Sequence, residues 1–348
     1  MKKNRFCTDA AYSKSIKPNG ARYKKGRFRR FCFLLQIPRS LYFKIKTRIL
    51  LIRLWYNNFF QCASIIKPSG PVVSLTTYGR RIRTVYLAIE SIARGNILPS
   101  RLILWIDDAA LFENLPKTIR RLVKRGLEVK FSKNYGPHTK YYPYLQSQKS
   151  FDCPMATADD DILYPRSWLQ KLTLAYQQAP QFVLCYRAHI IELCGEKIAS
   201  YAAWKPCKTT RPALIHFATG VSGVLYPPAF LARLKQAGNG FIDCCPEADD
   251  VWLHVQAVRF GFPICQIENK PLHFPMIPGT QKIALMKKNL NGGNDRQIKA
   301  AYTAKDISKL RSKTETNFSG SLGITPCYCN TKTKRQSFSQ VILNKNSI

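Results

Sequence analysis

The chain has 348 residues, 45% of them hydrophobic, enough for one large α/β domain with extensions or two modest domains and too many for a disordered chain. Its 55 Lys+Arg against 20 Asp+Glu leave a net charge of +35, which points to polyanionic surroundings: nucleic acid, anionic lipid headgroups or phosphorylated substrates. The 12 cysteines are scattered without the paired spacing of a zinc site, so reduced thiols are expected. No cleavable leader is recognisable and no run approaches roughly 18 apolar residues, so the expected location is cytoplasmic.

The charge is unevenly placed. Residues 1–60 hold 16 basic residues and one acid, Asp9, and the next acid is Glu90. Within this basic extension, read as residues 1–66, Leu41, Ile45, Ile49, Ile52 and Tyr56 recur at steps of three and four. Lys44, Lys46, Arg48 and Arg53 lie between them, and Trp55, Tyr56, Phe59 and Phe60 gather at one end. The pattern fits a helix lying on an anionic membrane surface, and equally an ordinary domain helix with solvated cations.

From 67 to 302 strand-like and helix-like stretches alternate. Strands are expected at Pro71–Tyr78, Arg101–Asp107, Leu127–Phe131, Met155–Asp161 and Phe182–Tyr186. Helices are expected at Arg83–Arg94, Pro116–Lys124 and Pro165–Gln177, the second opened by proline and closed by Gly126. This rhythm predicts right-handed β-α-β units and a largely parallel sheet with helices on both faces, which binds ligands at the carboxyl ends of its strands. Residues 303–348 lose the periodicity and read as a flexible basic tail.

The scarce acids cluster. Eight of the 20 fall in Asp107-Asp108, Asp159-Asp160-Asp161, and Glu247 with Asp249-Asp250, the first two groups at predicted strand ends. Along a continuing strand Asp159 and Asp161 would share a face, and adjacent carboxylates repel unless a hard divalent cation relieves them. Magnesium or manganese, completing its shell with water and substrate phosphate, suits that arrangement; a solvated acidic turn is the plainer alternative. Behind Pro246, the acids at 247–250 also suit a helix dipole. No Walker-type, Gly-x-Gly-x-x-Gly, H-E-x-x-H or Gly-x-Ser-x-Gly pattern occurs, which disfavours P-loop, zincin and hydrolase chemistry.

In order and spacing, several segments together resemble nucleotide-sugar glycosyltransferases of the GT-A fold, in particular the family-2-like type of the bacterial cell envelope. They are PVVSLTTYGRRIRTVYLAIESI, RLILWID, GPHTKYYPYL, TADDDILYPRSWLQKL, FATGVSGVLYPPAF and PEADDVWLHVQAVRFG, covering about residues 70–275.

The resemblance implies a Rossmann-like domain over 67–302 and sugar transfer from a nucleotide diphosphate-sugar to a carbohydrate or lipid-linked acceptor. It implies a metal, Mn2+ or Mg2+, on Asp159 and Asp161, with Asp160 able to replace one of the pair and His273 a further ligand. Donor contacts would come from Thr76, Thr77, Tyr78, Arg83, Asp107, Lys140 and Asp160, with Arg80 and Arg81 nearby. Asp249 or Asp250 would be the base of an inverting displacement. Such an enzyme would serve surface polysaccharide or lipopolysaccharide assembly, peripheral on the inner face of the cytoplasmic membrane, with no specific nucleic-acid partner. The competing reading is a nucleic-acid-binding protein or metal-dependent nuclease, which explains the charge but not the motif order.

Overall fold

The computed structural model describes residues 39–280 and 293–312. By internal packing the chain divides into two units, Met1–Ile49 and Leu50–Ile348. Of the first, the described part is the opening of helix α1 (Arg39–Phe60), whose Leu41, Phe43, Ile45 and Ile49 are exposed.

The second unit is built around a sheet. Strand β1 (Val72–Thr77) leads to α2 (Val85–Ala93), β2 (Arg101–Ile106), the short α3 (Ala109–Glu113), α4 (Lys117–Val123) and β3 (Leu127–Phe131). Then follow α5 (Tyr142–Ser147), β4 (Met155–Ala158), α6 (Trp168–Gln178) and β5 (Val183–Cys185). Short strands β6 (Ala188–Ile190), β7 (Leu193–Cys194), β8 (Lys197–Ile198), β9 (Lys205–Pro206) and β10 (His216–Ala218) precede β11 (Val224–Tyr226) and α7 (Pro228–Gln236). The remainder is α8 (Phe241–Cys244), α9 (Asp249–Phe260), β12 (Ile264–Gln266), α10 (Asn294–Ala301) and α11 (Ala304–Ser312).

Seven strands pair in the order β12-β5-β11-β4-β1-β2-β3, with β11 antiparallel to both neighbours and the other pairs parallel. Alternate side chains feed two cores on opposite faces. Val72, Ile103, Met155 and Val224 join α7 and α9 on one side, while Val73, Leu102, Ala156 and Leu225 join α2, α4 and α6 on the other. Covering both faces explains why these strands read as apolar runs rather than as alternating ones. The expected α/β class with a mostly parallel sheet is what the chain forms.

Three expectations are corrected. The fourth strand stops at Ala158 instead of Asp161, so the three aspartates occupy a turn and the shared-face argument does not apply to them. The folded body begins before residue 67. Leu54 is fully buried with Leu87, Ala88, Leu163 and Ile277, and Asn58 donates to Glu90 and to the Thr118 carbonyl. Residues 304–312 of the supposed tail form α11, which packs against α9. Leu310 is buried there and Asp306 binds Arg259 at 3.0 Å. Residues 1–38 of the extension and 313–348 of the tail lie outside the described residues.

Candidate active site

The sheet changes direction at β1: β2 and β3 lie on one side and β4 on the other. Ligands of open α/β sheets settle in the crevice at such a switch, beyond the strand carboxyl ends. Here the loops leaving β1 and β4 stand side by side, since Leu75 pairs with Ala158. They carry Tyr78–Arg83, directly after Thr76 and Thr77 at the end of β1, and Asp159–Asp161.

The three aspartates fan out, each to a different partner. Asp159 Oδ1 lies 3.0 Å from Lys140 Nζ, and its backbone N–H donates to the Tyr164 hydroxyl at 2.7 Å. Asp160 is 4% exposed and accepts from Thr77 Oγ1 and from Arg81 Nη1, both at 2.7 Å. Asp161 Oδ2 lies 3.2 Å from Arg81 Nη2. Arg81 thus grips two neighbouring carboxylates and also donates to the Thr280 carbonyl. Burial pushes Asp161 up to about 6, its neighbour Asp159 adds to this, and Arg81 opposes it. Burial also raises Asp160, against the pull of Arg81 and Thr77.

Lys140 ends a 3-10 turn, Gly136–Lys140, that is tied to the sheet from below. Its carbonyl accepts from Ser74 Oγ at 2.7 Å, and Ser74 Oγ in turn accepts from Trp105 Nε1. Beyond Asp159, its ammonium lies 3.1 Å from Asp249 Oδ2, an ion pair without a well-directed hydrogen bond. Burial works against the charge, yet Asp159, Asp249 and Asp250 together hold the ammonium well above its ordinary pKa.

Asp249 and Asp250 open α9, but neither is its N-cap. That position is Ala248, with no side-chain hydrogen bond to the helix. Asp250 Oδ1 instead accepts from the Gly220 backbone N–H at 2.9 Å, in the loop between β10 and β11. A methyl group on Gly220 would sit 3.0 Å from that oxygen and 3.5 Å from Lys140 Nζ, so glycine lets the three groups close up. Burial and the adjacent Asp249 raise Asp250 to about 8, with Lys140 opposing. The same loop holds Ser222 at φ 79, left-handed backbone that a non-glycine residue rarely adopts.

The other named positions surround this centre unequally. Thr76 Oγ1 donates to the Trp105 carbonyl at 3.2 Å, and the Tyr78 ring lies 5.2 Å from the Arg81 guanidinium. Asp107 is half-buried just past β2 and raised by burial, while Asp108 caps α3 through the Leu111 N–H. Arg83 is exposed. His273 is exposed as well; burial of its ring lowers it, and so does the cation of Arg187.

One positioning residue has no sequence signal beyond proximity to Lys140. His138 is fully buried, stacked on Phe241 at 4.0 Å, with Nε2 at 2.8 Å from the Cys245 carbonyl and Nδ1 at 2.7 Å from the Tyr141 hydroxyl. A carbonyl only accepts, so Nε2 carries the proton and Nδ1 accepts from Tyr141. Burial holds the ring neutral, down to about 4. His138 therefore pins the lysine turn to the segment entering α9.

Five carboxylates in one crevice, met by Arg81 and Lys140, leave an excess of negative charge that a divalent cation would offset. Asp160 is the most buried of the turn's three carboxylates and is bound on both oxygens, by Thr77 and Arg81, while Asp159 and Asp161 each meet one cation, Lys140 and Arg81 respectively. Among the described residues no three His, Cys, Asp or Glu side chains converge as a protein-only cage. One or two carboxylates plus substrate phosphates is the usual way proteins hold magnesium, so the donor set fits.

No family model and no curated protein matches the chain. Among solved structures it is similar to the mannosyltransferase PcManGT from Pyrobaculum calidifontis in complex with GDP-Man and Mn2+, at 11% identity over 76% of each chain and TM-score 0.44. It is also similar to S. aureus TarS 1–349, at 12% identity over 70% of each chain and TM-score 0.42. CMP:2-keto-3-deoxy-manno-octonic acid synthetase complexed with CTP matches at 11% identity over 65% of this chain and 100% of its own, TM-score 0.38. Likeness this distant carries no functional argument; the site must carry it.

Proposed function

We propose that this chain transfers a sugar from a nucleotide diphosphate-sugar donor to a carbohydrate or lipid-linked acceptor, with Mn2+ or Mg2+ held by Asp159 and Asp161. The observation that carries the reading is convergence. The loop after β1, the aspartate turn after β4, Lys140 and the acidic start of α9 meet in one crevice at the sheet's switch point.

Each residue then has a physical task. Lys140 and Arg81 are cations already held in place, ready to exchange a carboxylate partner for a donor phosphate oxygen. A divalent cation held there would neutralise charge on the diphosphate and so make the nucleoside diphosphate a better leaving group. Thr76, Thr77 and Tyr78 line the end of β1 toward the nucleotide, with Asp107 at the end of β2 beside them. Asp250, aimed by the Gly220 amide and raised by burial and its neighbour Asp249, is the base of this reading, and in its ionised form it takes the proton from the acceptor hydroxyl. Asp249 holds Lys140 in register. A base on the acceptor side acting in one displacement implies inversion at the sugar. Surface polysaccharide or lipopolysaccharide assembly is the setting in which we place this reaction.

A calorimetric screen of UDP-, GDP-, CMP- and dTDP-sugars, with and without manganese, on the wild type and on Asp161→Ala tests the proposal. Metal-dependent binding of one donor, lost in the variant, supports it. Silence toward every donor, together with salt-sensitive binding of arbitrary DNA, would move the function to polyanion binding.

A further inference from the structure

The acids of the crevice leave another part of the second unit without any. From Leu50 to Phe60 the helix has two contrasting sides. Leu54 and Asn58 are buried against the domain, while Ile52, Trp55, Tyr56, Phe59 and Phe60 are each half or more exposed. The rings form one contiguous cluster, with Trp55–Phe59 at 5.9 Å, Tyr56–Phe60 at 4.5 Å and Phe59–Phe60 at 4.7 Å between centroids. Scattered exposed apolar residues are ordinary, but a contiguous aromatic patch marks a surface that something covers.

Its surroundings identify the partner. Beside Trp55 opens an apolar cavity of about 520 Å³, lined by Leu51, Ile52, Tyr86, Leu87 and Ile277 among others. Guanidinium groups border the helix. Arg121 lies 4.4 Å from the Phe59 ring centroid, and Arg53 and Arg166 are exposed. Arg94, half-buried, donates to the Tyr164 carbonyl and has an Nε with no partner among the described residues. Burial lowers its pKa, and the cations of Arg166 and Arg53 lower it further, which places the three arginines in one repelling group. Glu90, the nearest acid in sequence to Arg94, is buried and bound to Arg125 and Asn58. Among the described residues no carboxylate balances this group of like charges, a pattern that external anions would relieve.

We propose that this face of α1 docks the protein on an anionic lipid bilayer. Trp55, Tyr56, Phe59 and Phe60 sit at headgroup depth, the cavity beside Trp55 admits an acyl chain, and Arg53, Arg94, Arg121 and Arg166 pair with lipid phosphates. Aromatic rings at the interface with arginines at their border is the arrangement that holds interfacial helices, and it needs both apolar contact and anionic charge. The docking stands on observations separate from the crevice and does not depend on the sugar-transfer reading.

The intrinsic fluorescence of the full chain is a direct probe. Of its five tryptophans, Trp55 is 53% exposed, whereas Trp105, Trp168, Trp204 and Trp252 are at most 6% exposed. The protein would be titrated with vesicles of phosphatidylcholine alone and of phosphatidylcholine with phosphatidylglycerol in equal parts. Partitioning should be roughly tenfold or more tighter on the anionic vesicles and weaken with salt. Emission should shift to the blue and be quenched by lipids brominated along the acyl chain. Arg53→Glu and Ile52→Asp, both at exposed positions, should each weaken partitioning by roughly tenfold while leaving the thermal melt in place. Binding without a change in Trp55 emission would assign the membrane contact to another part of the chain and overturn the proposal. So would a self-associated species in which Trp55 is already shielded before lipid is added, because the face would then belong to a second copy.

Discussion

The acidic crevice and the outer face of α1 treat charge in opposite ways. In the crevice five aspartates are drawn together and partly buried, each held by a threonine, a backbone amide, Arg81 or Lys140. Beside α1, among the described residues, no carboxylate pairs with the four arginines that border an exposed cluster of rings. A chain with 20 acids among 348 residues thus concentrates a quarter of them in a space a few side chains wide. The contrast teaches that a net charge of +35 is not one property. The cations of the crevice are structural counter-ions whose loss would uncover buried carboxylates, whereas Arg53, Arg94, Arg121 and Arg166 beside the outer face of α1 form no ion pair among the described residues.

Four measurements would break or sharpen this contrast. The largest effect is expected from Asp161→Ala, which should lower kcat/KM for sugar transfer by roughly 10³-fold and abolish stabilisation by manganese plus donor. Unchanged donor binding would mean the crevice is not the donor site. Lys140→Met should cut activity by about 10²-fold, and because it leaves Asp159 and Asp249 without their cation it should also cost about 3 kcal/mol of stability in urea unfolding.

Asp250 gives a pH signature. Burial and Asp249 raise it from the ordinary 3.8 to about 8, so the folded state favours the protonated form. Its contribution to stability is therefore complete below the unfolded pKa and is lost as pH rises through the folded one. In a chelator, the urea midpoint should fall as pH rises between these two values, and Asp250→Asn should flatten that slope. The smallest effect belongs to α1: Trp55→Ala should move stability by no more than about 0.5 kcal/mol, since the ring is exposed. A large loss on thermal unfolding would show that the ring is part of the core instead.

Much of the fold is readable along the chain because its signals are local. Val72–Thr77 and Arg101–Ile106 are short, mostly apolar and β-branched runs, Leu127–Phe131 alternates apolar and charged residues after Gly126, and each forms a strand within a residue or two of its expected ends. Helix α9 closes at Gly261, whose φ of 76 satisfies the left-handed cap a helix end favours. Where the reading slipped, long-range partners made the difference. Met155–Asp161 reads as one strand, yet its pairing with β1 ends at Leu75 and Ala158 although β1 runs on to Thr77, and the aspartates beyond it turn away to meet Arg81 and Lys140. Residues 304–312 look like a polar tail because the Arg259 that binds Asp306 lies 47 positions away.

By itself the sequence determined that the acids are few and clustered, that strands and helices alternate, and that two of the three clusters fall where strands end, because all three are matters of composition and period. Only the tertiary structure decided which aspartate meets which cation, that His138 ties the lysine turn to the Cys245 carbonyl, and that Asp250 reaches the Gly220 amide. It also decided which side of α1 is buried from Leu50 onward. The apolar spacing marks Ile52 and Tyr56 as one face, and that face is exposed while Leu54 and Asn58 carry the packing. Those outcomes rest on contacts between residues tens of positions apart, whose energies exist only once the sheet has brought them within reach.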